Sequence, residues 1–320
     1  MNLGLQIQSL LFSAEVIAPI FLVTALGYVL KKMSLISDGF SKGLNSFVFK
    51  IAFPLHLGLN LYQVDISKVF SWKLVVYSCL STIVVMIFAM IVFRFFTKDK
   101  KKLFSLAQAA YRGNYLVFTL VVERICGSEG FANAVMLTIF LTPLVNVLAA
   151  VLTDTYLDSK HEGPRIINVI LTTIKTPMII GVMIGLLLNI LGIWIPDVIL
   201  TSAGDIGRCA MPLALITLGA QLTVPNLSQD NKLVVAGSIY RMVLVPVMIL
   251  GGAVLLGFRG NALTTLIAVG GSPVAIVSYI VAAESGGDSE IAGKLIMITS
   301  VLSVFTLFIL LFVLRSYRLI

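Results

Sequence analysis

Long apolar runs, interrupted by short polar and basic stretches, are the dominant pattern along this chain. Runs near 16–30, 44–62, 74–96, 104–122, 132–152, 177–195, 198–223, 233–258, 262–283 and 291–314 approach the length of about 20 residues that a helix needs to cross a bilayer. They do not alternate with period two over ten residues, so they predict helices rather than barrel strands. The polar connection 154–175 separates the first five runs from the last five.

One run differs from the rest. Residues 266–283 are apolar, yet Gly270, Gly271, Ser272 and Pro273 sit within them. Proline lacks the backbone N–H and clashes with the carbonyl four residues back, and glycine weakens a helix further. In a bilayer, non-helical backbone survives only where protein or a cavity surrounds it. This run therefore predicts a helix broken inside the protein.

The two halves carry the same landmarks. Pro19, Gly27 and Pro54 recur as Pro177, Gly185 and Pro212, each 158 residues later. The segment KIAFPL from Lys50 matches RCAMPL from Arg208, Gln63 matches Gln221, and KLVV occurs at Lys73 and at Lys232. At an offset of 159, Asn114 falls on Pro273 and Gly127 on Gly286. A shared offset over this length predicts two copies of a five-helix unit, 1–157 and 158–320. Five is odd, so the second copy inserts upside down. Broken helices at equivalent places in inverted halves point to a binding site at mid-membrane. Here those places are Gly113-Asn114 in helix four and Ser272-Pro273 in helix nine.

Composition sharpens this picture. The chain of 320 residues is 58% hydrophobic and 12% charged, against about 25% charged in a soluble domain. Its mean hydropathy is +1.03. The net charge of +8 falls mainly in short loops, a topology signal and not a nucleic-acid surface. With the N-terminus outside, inner loops collect twelve Lys and Arg, among them Lys98, Lys100, Lys101 and Lys102, against six outside. Both termini are then expected outside a cell membrane. The first run lacks a basic leader and a cleavage site, and is expected to be a retained helix. Cys79, Cys126 and Cys209 read as core residues, His56 and His161 stand alone, and no metal or other cofactor is expected.

The chain resembles the auxin efflux carrier family, which includes plant PIN proteins and bacterial organic-acid carriers. The likeness covers nearly the whole length. It rests on Pro19 with Gly27-Tyr28, Phe53-Pro54, Arg112-Gly113-Asn114, the stretch from Pro212 to Ala220, Ser272-Pro273, Gly286-Gly287-Asp288, and Thr299 to Ser303. The resemblance implies an all-α fold of ten helices in two inverted repeats, with helices four and nine breaking and crossing. It implies transport of small organic anions, such as auxin-like or malate-like carboxylates, usually by a homodimer. A transport unit (helices three to five and eight to ten) would slide against a scaffold (helices one, two, six and seven). Family members usually carry Gly-x-Pro after the helix-four Asn, where this chain has Thr119-Leu120-Val121. The first crossover must therefore break on Gly113 and Asn114 alone, or be less bent.

The polar residues then acquire candidate roles. Asn114 matches the family's substrate-binding amide; by itself it reads equally as a helix cap or an interhelical hydrogen bond. Ser272 offers a hydroxyl to a substrate or to local backbone. Pro273 and Gly113 shape the backbone. Lys50, Arg112, Arg208, Arg241 and Lys294 lie within the runs, where each cation costs about 2.5–3.5 kcal/mol to insert and should face protein or water. Arg112 could draw in an anion or brace its half-helix. Lys50 and Arg208, equivalent in the repeat, read as structural partners of the scaffold. Asp205 lies three residues before Arg208, an ion-pair spacing, and is also a protonatable coupling candidate. Glu123 and Glu284 fall near helix ends, where water is expected to reach them. Ser285-Gly286-Gly287-Asp288 only superficially resembles an intramembrane aspartyl-protease motif, since no partner Asp stands in a suitable helix; no enzyme is expected. Three readings remain at this point: an organic-anion carrier with protons as a candidate driving ion, a sodium-coupled carrier of the same fold, and a non-transporting membrane sensor.

Overall fold

The computed structural model describes residues 3–66, 70–157, 165–222 and 230–320. Lys68, Lys160 and His161 lie outside them. The regular structure of the described residues is all helical, apart from one isolated β-bridge. Among the described residues six helices are long and apolar enough to span a membrane, or seven if a bent pair counts as one. Large apolar side chains such as Leu22, Leu80, Ile184 and Phe305 stand exposed on them. Such exposure opposes folding in water and is neutral against lipid tails.

The first long helix is α1, Leu3–Lys32, which continues past Pro19. The run near 44–62 is interrupted: α2 (Asp38–Phe47) passes through a π-helical turn, Val48–Ala52, into α3 (Phe53–Gln63). Helix α4 is Trp72–Phe93. The expected fourth run is divided into α5 (Lys100–Tyr111) and the start of α6 (Tyr115–Tyr156). The loop expected between the fourth and fifth runs is reduced to a kink at Gly127, whose φ of 65° suits glycine. Asp99 caps α5 by accepting from the Lys101 and Lys102 amides, so the basic turn also starts a helix.

The polar connection holds a helix that its composition did not predict, α7 (Arg165–Ile174). Its apolar positions cluster on one side. It meets α8 (Pro177–Ile190) at a bend of 67° because Pro177 cannot continue the turn. Next come α9 (Asp197–Arg208), α10 (Ala210–Gln221) and α11 (Asn231–Ile239). Two π-helical segments, Tyr240–Leu244 and Val247–Gly251, lead to α12 (Gly252–Leu255). The ninth run is divided into α13 (Gly260–Gly270) and α14 (Val277–Ser285), and α15 is Ser289–Ser316.

Apolar burial forms two clusters. The larger joins α4, α5, α6, α11, α13 and α15. The smaller is centred on α3 and takes in Val182 of α8, Ala210 and Ala214 of α10 and one stretch of α6. Helix α1 packs along α10, and α3 along α8. Both pairs approach at glycines: Gly27 against the Ile216 backbone, Gly219 against Thr24, and Gly58 against Gly181 and Gly185.

Candidate functional site

Two helices break at one point, and each break completes the other. After Tyr111 the backbone of Arg112 leaves the helix, with φ −85° and ψ 84°. Gly113 forms an antiparallel bridge with Val274. The Asn114 amide donates to the Pro273 carbonyl at 2.7 Å, and the Ala275 amide donates to the Arg112 carbonyl at 3.0 Å. The Val274 amide donates to the Thr299 hydroxyl at 3.1 Å. Backbone groups that would be stranded in a dry interior are thus paired across the crossing. The run expected as helix four therefore breaks completely, between Tyr111 and Tyr115, with no proline in it.

Four helix ends meet here: the C-termini of α5 and α13, and the N-termini of α6 and α14. C-terminal ends carry unpaired carbonyls and negative partial charge; N-terminal ends carry N–H groups and positive charge. The C-terminal ends are held by Arg241, which is 0% exposed. Its Nη1 donates to Ala110 O at 2.9 Å, and its Nη2 to Val269 O at 3.0 Å and Ser272 Oγ at 2.9 Å. Its Nε donates to Ser272 O at 2.9 Å. The sequence marks Arg241 only as one of five cations within the apolar runs.

The candidate residues separate accordingly. Asn114 is half-buried, does not cap α6, and its side chain has no hydrogen-bond partner among the described residues. Gly113 and Pro273 are buried and shape the crossing. Ser272 is fully buried with its hydroxyl against Arg241, the local role rather than an open ligand position. Arg112, 4% exposed, turns to α6 instead: its Nη2 donates to Val145 O at 3.0 Å and Asn146 Oδ1 at 2.8 Å, and Asn146 donates on to the Thr173 hydroxyl of α7 at 2.8 Å. It braces the half-helix. Gln108, one turn before the crossing, is fully buried with neither side-chain amide atom partnered among the described residues.

Asp205 and Arg208 pair with each other on an exposed face of α9, as their spacing predicts. Of the two equivalent cations, Arg208 thus has a carboxylate partner, while Lys50 is exposed and has none among the described residues. Lys294 pairs with Glu290 one turn away at 2.6 Å.

Glu123 is not simply solvated and His56 is not alone. His56 Nε2 of α3 lies 2.9 Å from Glu123 Oε2 of α6. The His56 ring packs 4.9 Å from that of Phe131. The pair lines a cavity of about 510 Å³ with Asn60, Gln63, Asp197, Thr201 and Arg208. It ties the smaller apolar cluster to the broken helix. In a double-mutant cycle of thermal stability, His56→Ala and Glu123→Gln are expected to couple by about 0.5–1 kcal/mol, as partly exposed pairs do. Additive effects would show that the contact carries no energy. A second cavity, of about 640 Å³, lies among Lys31, Asp38, Asn45, Gln221, Tyr279 and Ser300. Among the described residues no group of His, Cys, Asp and Glu has the geometry to hold a metal ion.

A family profile described as membrane transport protein matches residues 12–164 and 163–311. An uncharacterized transporter of Methanothermobacter thermautotrophicus is 26% identical over 299 residues, covering 92% of this chain and 96% of the relative. An uncharacterized transporter of Methanocaldococcus jannaschii is 22% identical over 298 residues, covering 90% and 94%.

Proposed function

This chain belongs to the auxin efflux carrier-like family of membrane transport proteins, and from that premise we propose that it is a secondary carrier of small organic anions, carboxylates above all. The observation that carries the reading is the paired crossing of the two broken helices, with the half-buried, unpartnered Asn114 amide beside it. The N-termini of α6 and α14 bring two positive dipole ends to the crossing, and an anion there needs no fixed counter-charge. Asn114 adds an amide donor that suits a carboxylate oxygen.

The ten-helix, two-repeat architecture belongs to the same proposal. Three observations support it. The glycines at the equivalent positions 127 and 286 both have positive φ. The α1–α10 and α3–α8 contacts exchange equivalent elements of the two halves, and Gly27 and Gly185, equivalent in the repeat, each seat a backbone of the neighbouring helix. Alternating access would move a transport unit, helices three to five and eight to ten, against a scaffold of helices one, two, six and seven; the larger apolar cluster lies mostly within the first, and the smaller joins the second to α6. A homodimer built on the scaffold, termini outside, and protons as the driving ion with Asp205 and Arg208 as coupling candidates complete the reading.

Asn114→Ala is expected to lower carboxylate uptake into proteoliposomes at limiting substrate by about tenfold or more, the effect of losing about 1.4 kcal/mol or more of binding. Its melting temperature should stay near that of the wild type, because no partner is left behind. Normal uptake by this variant sinks the site assignment.

A further inference from the structure

Arg241 bonds to both halves of the crossing at once. Its four hydrogen bonds reach the last turn of α5, the last turn of α13 and the loop at Ser272, all at 2.9–3.0 Å. Among the described residues no carboxylate pairs with it. What compensates its charge is therefore carbonyl and hydroxyl oxygen. Each helix C-terminus carries about half a negative charge, so two of them offset about one positive charge. Three carbonyl oxygens and a hydroxyl, gathered at converging helix C-termini, are also the donor set with which broken-helix carriers coordinate a small coupling cation.

We infer that the Arg241 guanidinium is the built-in cation of this crossing: it occupies, covalently tethered, the oxygen cage that would otherwise hold an exchangeable sodium ion, so that anion transport here is independent of sodium. Gly113 agrees with this assignment. A β-carbon at that position would overlap the guanidinium and the Ser272 hydroxyl, so the break is shaped around the arginine. The π-helical turn Tyr240–Leu244 that carries Arg241 is an irregularity of the kind that recurs at functional sites. With the C-terminal ends neutralised by Arg241, the two N-terminal ends keep their positive charge for the substrate. This inference deepens the anion-carrier reading and rests on it for the direction of the field alone.

The experiment has a transport arm and a stability arm. In proteoliposomes at fixed pH and ionic strength, replacing sodium by N-methylglucamine is expected to change wild-type carboxylate uptake by less than about twofold. A fall of about tenfold or more overturns the inference. On purified protein, Arg241→Ala is expected to melt well below the wild type. About 10 mM guanidinium, far below denaturing levels, should then raise its melting temperature by about 3 °C or more, and equal urea should not. An Arg241→Ala protein as stable as the wild type, or one indifferent to guanidinium, overturns it. If that variant cannot be purified, Arg241→Lys decides together with the sodium series. It keeps the charge with fewer donors, so it should be less stable but still sodium-independent, and a new sodium requirement for uptake would overturn the inference. If no carboxylate crosses in any arm, the carrier reading has failed, while the guanidinium response, read without substrate, still decides the role of Arg241.

Discussion

Gly113→Ala is expected to lower the melting temperature by roughly 5–10 °C, corresponding to about 3–5 kcal/mol, and to abolish uptake. The cause is steric and local. Gly113 is not among the glycines with positive φ, so its backbone is open to any residue. What excludes a side chain is the Arg241 guanidinium lying over its Cα, with the Ser272 hydroxyl beside it. Neither neighbour can retreat cheaply. Arg241 holds the last carbonyls of α5 and α13, and moving it would strand a buried charge and several carbonyls together. The added methyl must instead separate the Gly113–Val274 bridge, which breaks the pairing of Asn114 with Pro273. Differential scanning fluorimetry in detergent, with uptake alongside, checks this. A wild-type melting temperature for Gly113→Ala would show that the guanidinium does not lie over this residue.

The contrast between Gly113 and Arg241 shows what was legible in the sequence. The break in helix nine is visible because Gly270, Gly271, Ser272 and Pro273 interrupt an apolar run, and breaking propensity is local. The break in helix four has no proline and is legible only through the repeat offset and the family resemblance. Asp205 and Arg208 were legible as a pair because i,i+3 neighbours share a helix face. Arg241 offered no such rule: its partners Ala110, Val269 and Ser272 are 131, 28 and 31 residues away in sequence. The same holds for His56 and Glu123, 67 residues apart on different helices. Arg112 kept two readings for a related reason. Its nearness to Asn114 in sequence is compatible with substrate or structure alike, and only the folded chain shows its side chain reaching Val145 and Asn146. Helix α7 was missed because ten residues cut off by Pro177 look like a connection when length is the criterion.

Gly185→Val is the second substitution expected to be severe, by about 3 kcal/mol or more, and for a reason unconnected with the crossing. Gly181 and Gly185 lie four residues apart on α8, the small-xxx-small spacing that lets helix backbones meet within a membrane. Across from them is Gly58 of α3, and a β-carbon on Gly185 would overlap the Gly58 carbonyl. The obstacle is backbone, which has no rotamer to yield. The helices would have to part along the contact that also carries Gly181 against Pro54, exposing the cluster around Phe53, Leu57 and Val182. That cluster receives Leu120 and Phe131 from α6, on either side of Glu123, so the loss should reach transport as well as stability. Gly43→Ala is the control. It lies in α2 with nothing within reach of an added β-carbon, and alanine there should stabilise by about 0.5–1 kcal/mol through helix propensity alone. Opposite signs for the two glycine substitutions, measured as melting temperatures, are the expected result. Equal effects would mean that the α3–α8 contact is not built on backbone proximity.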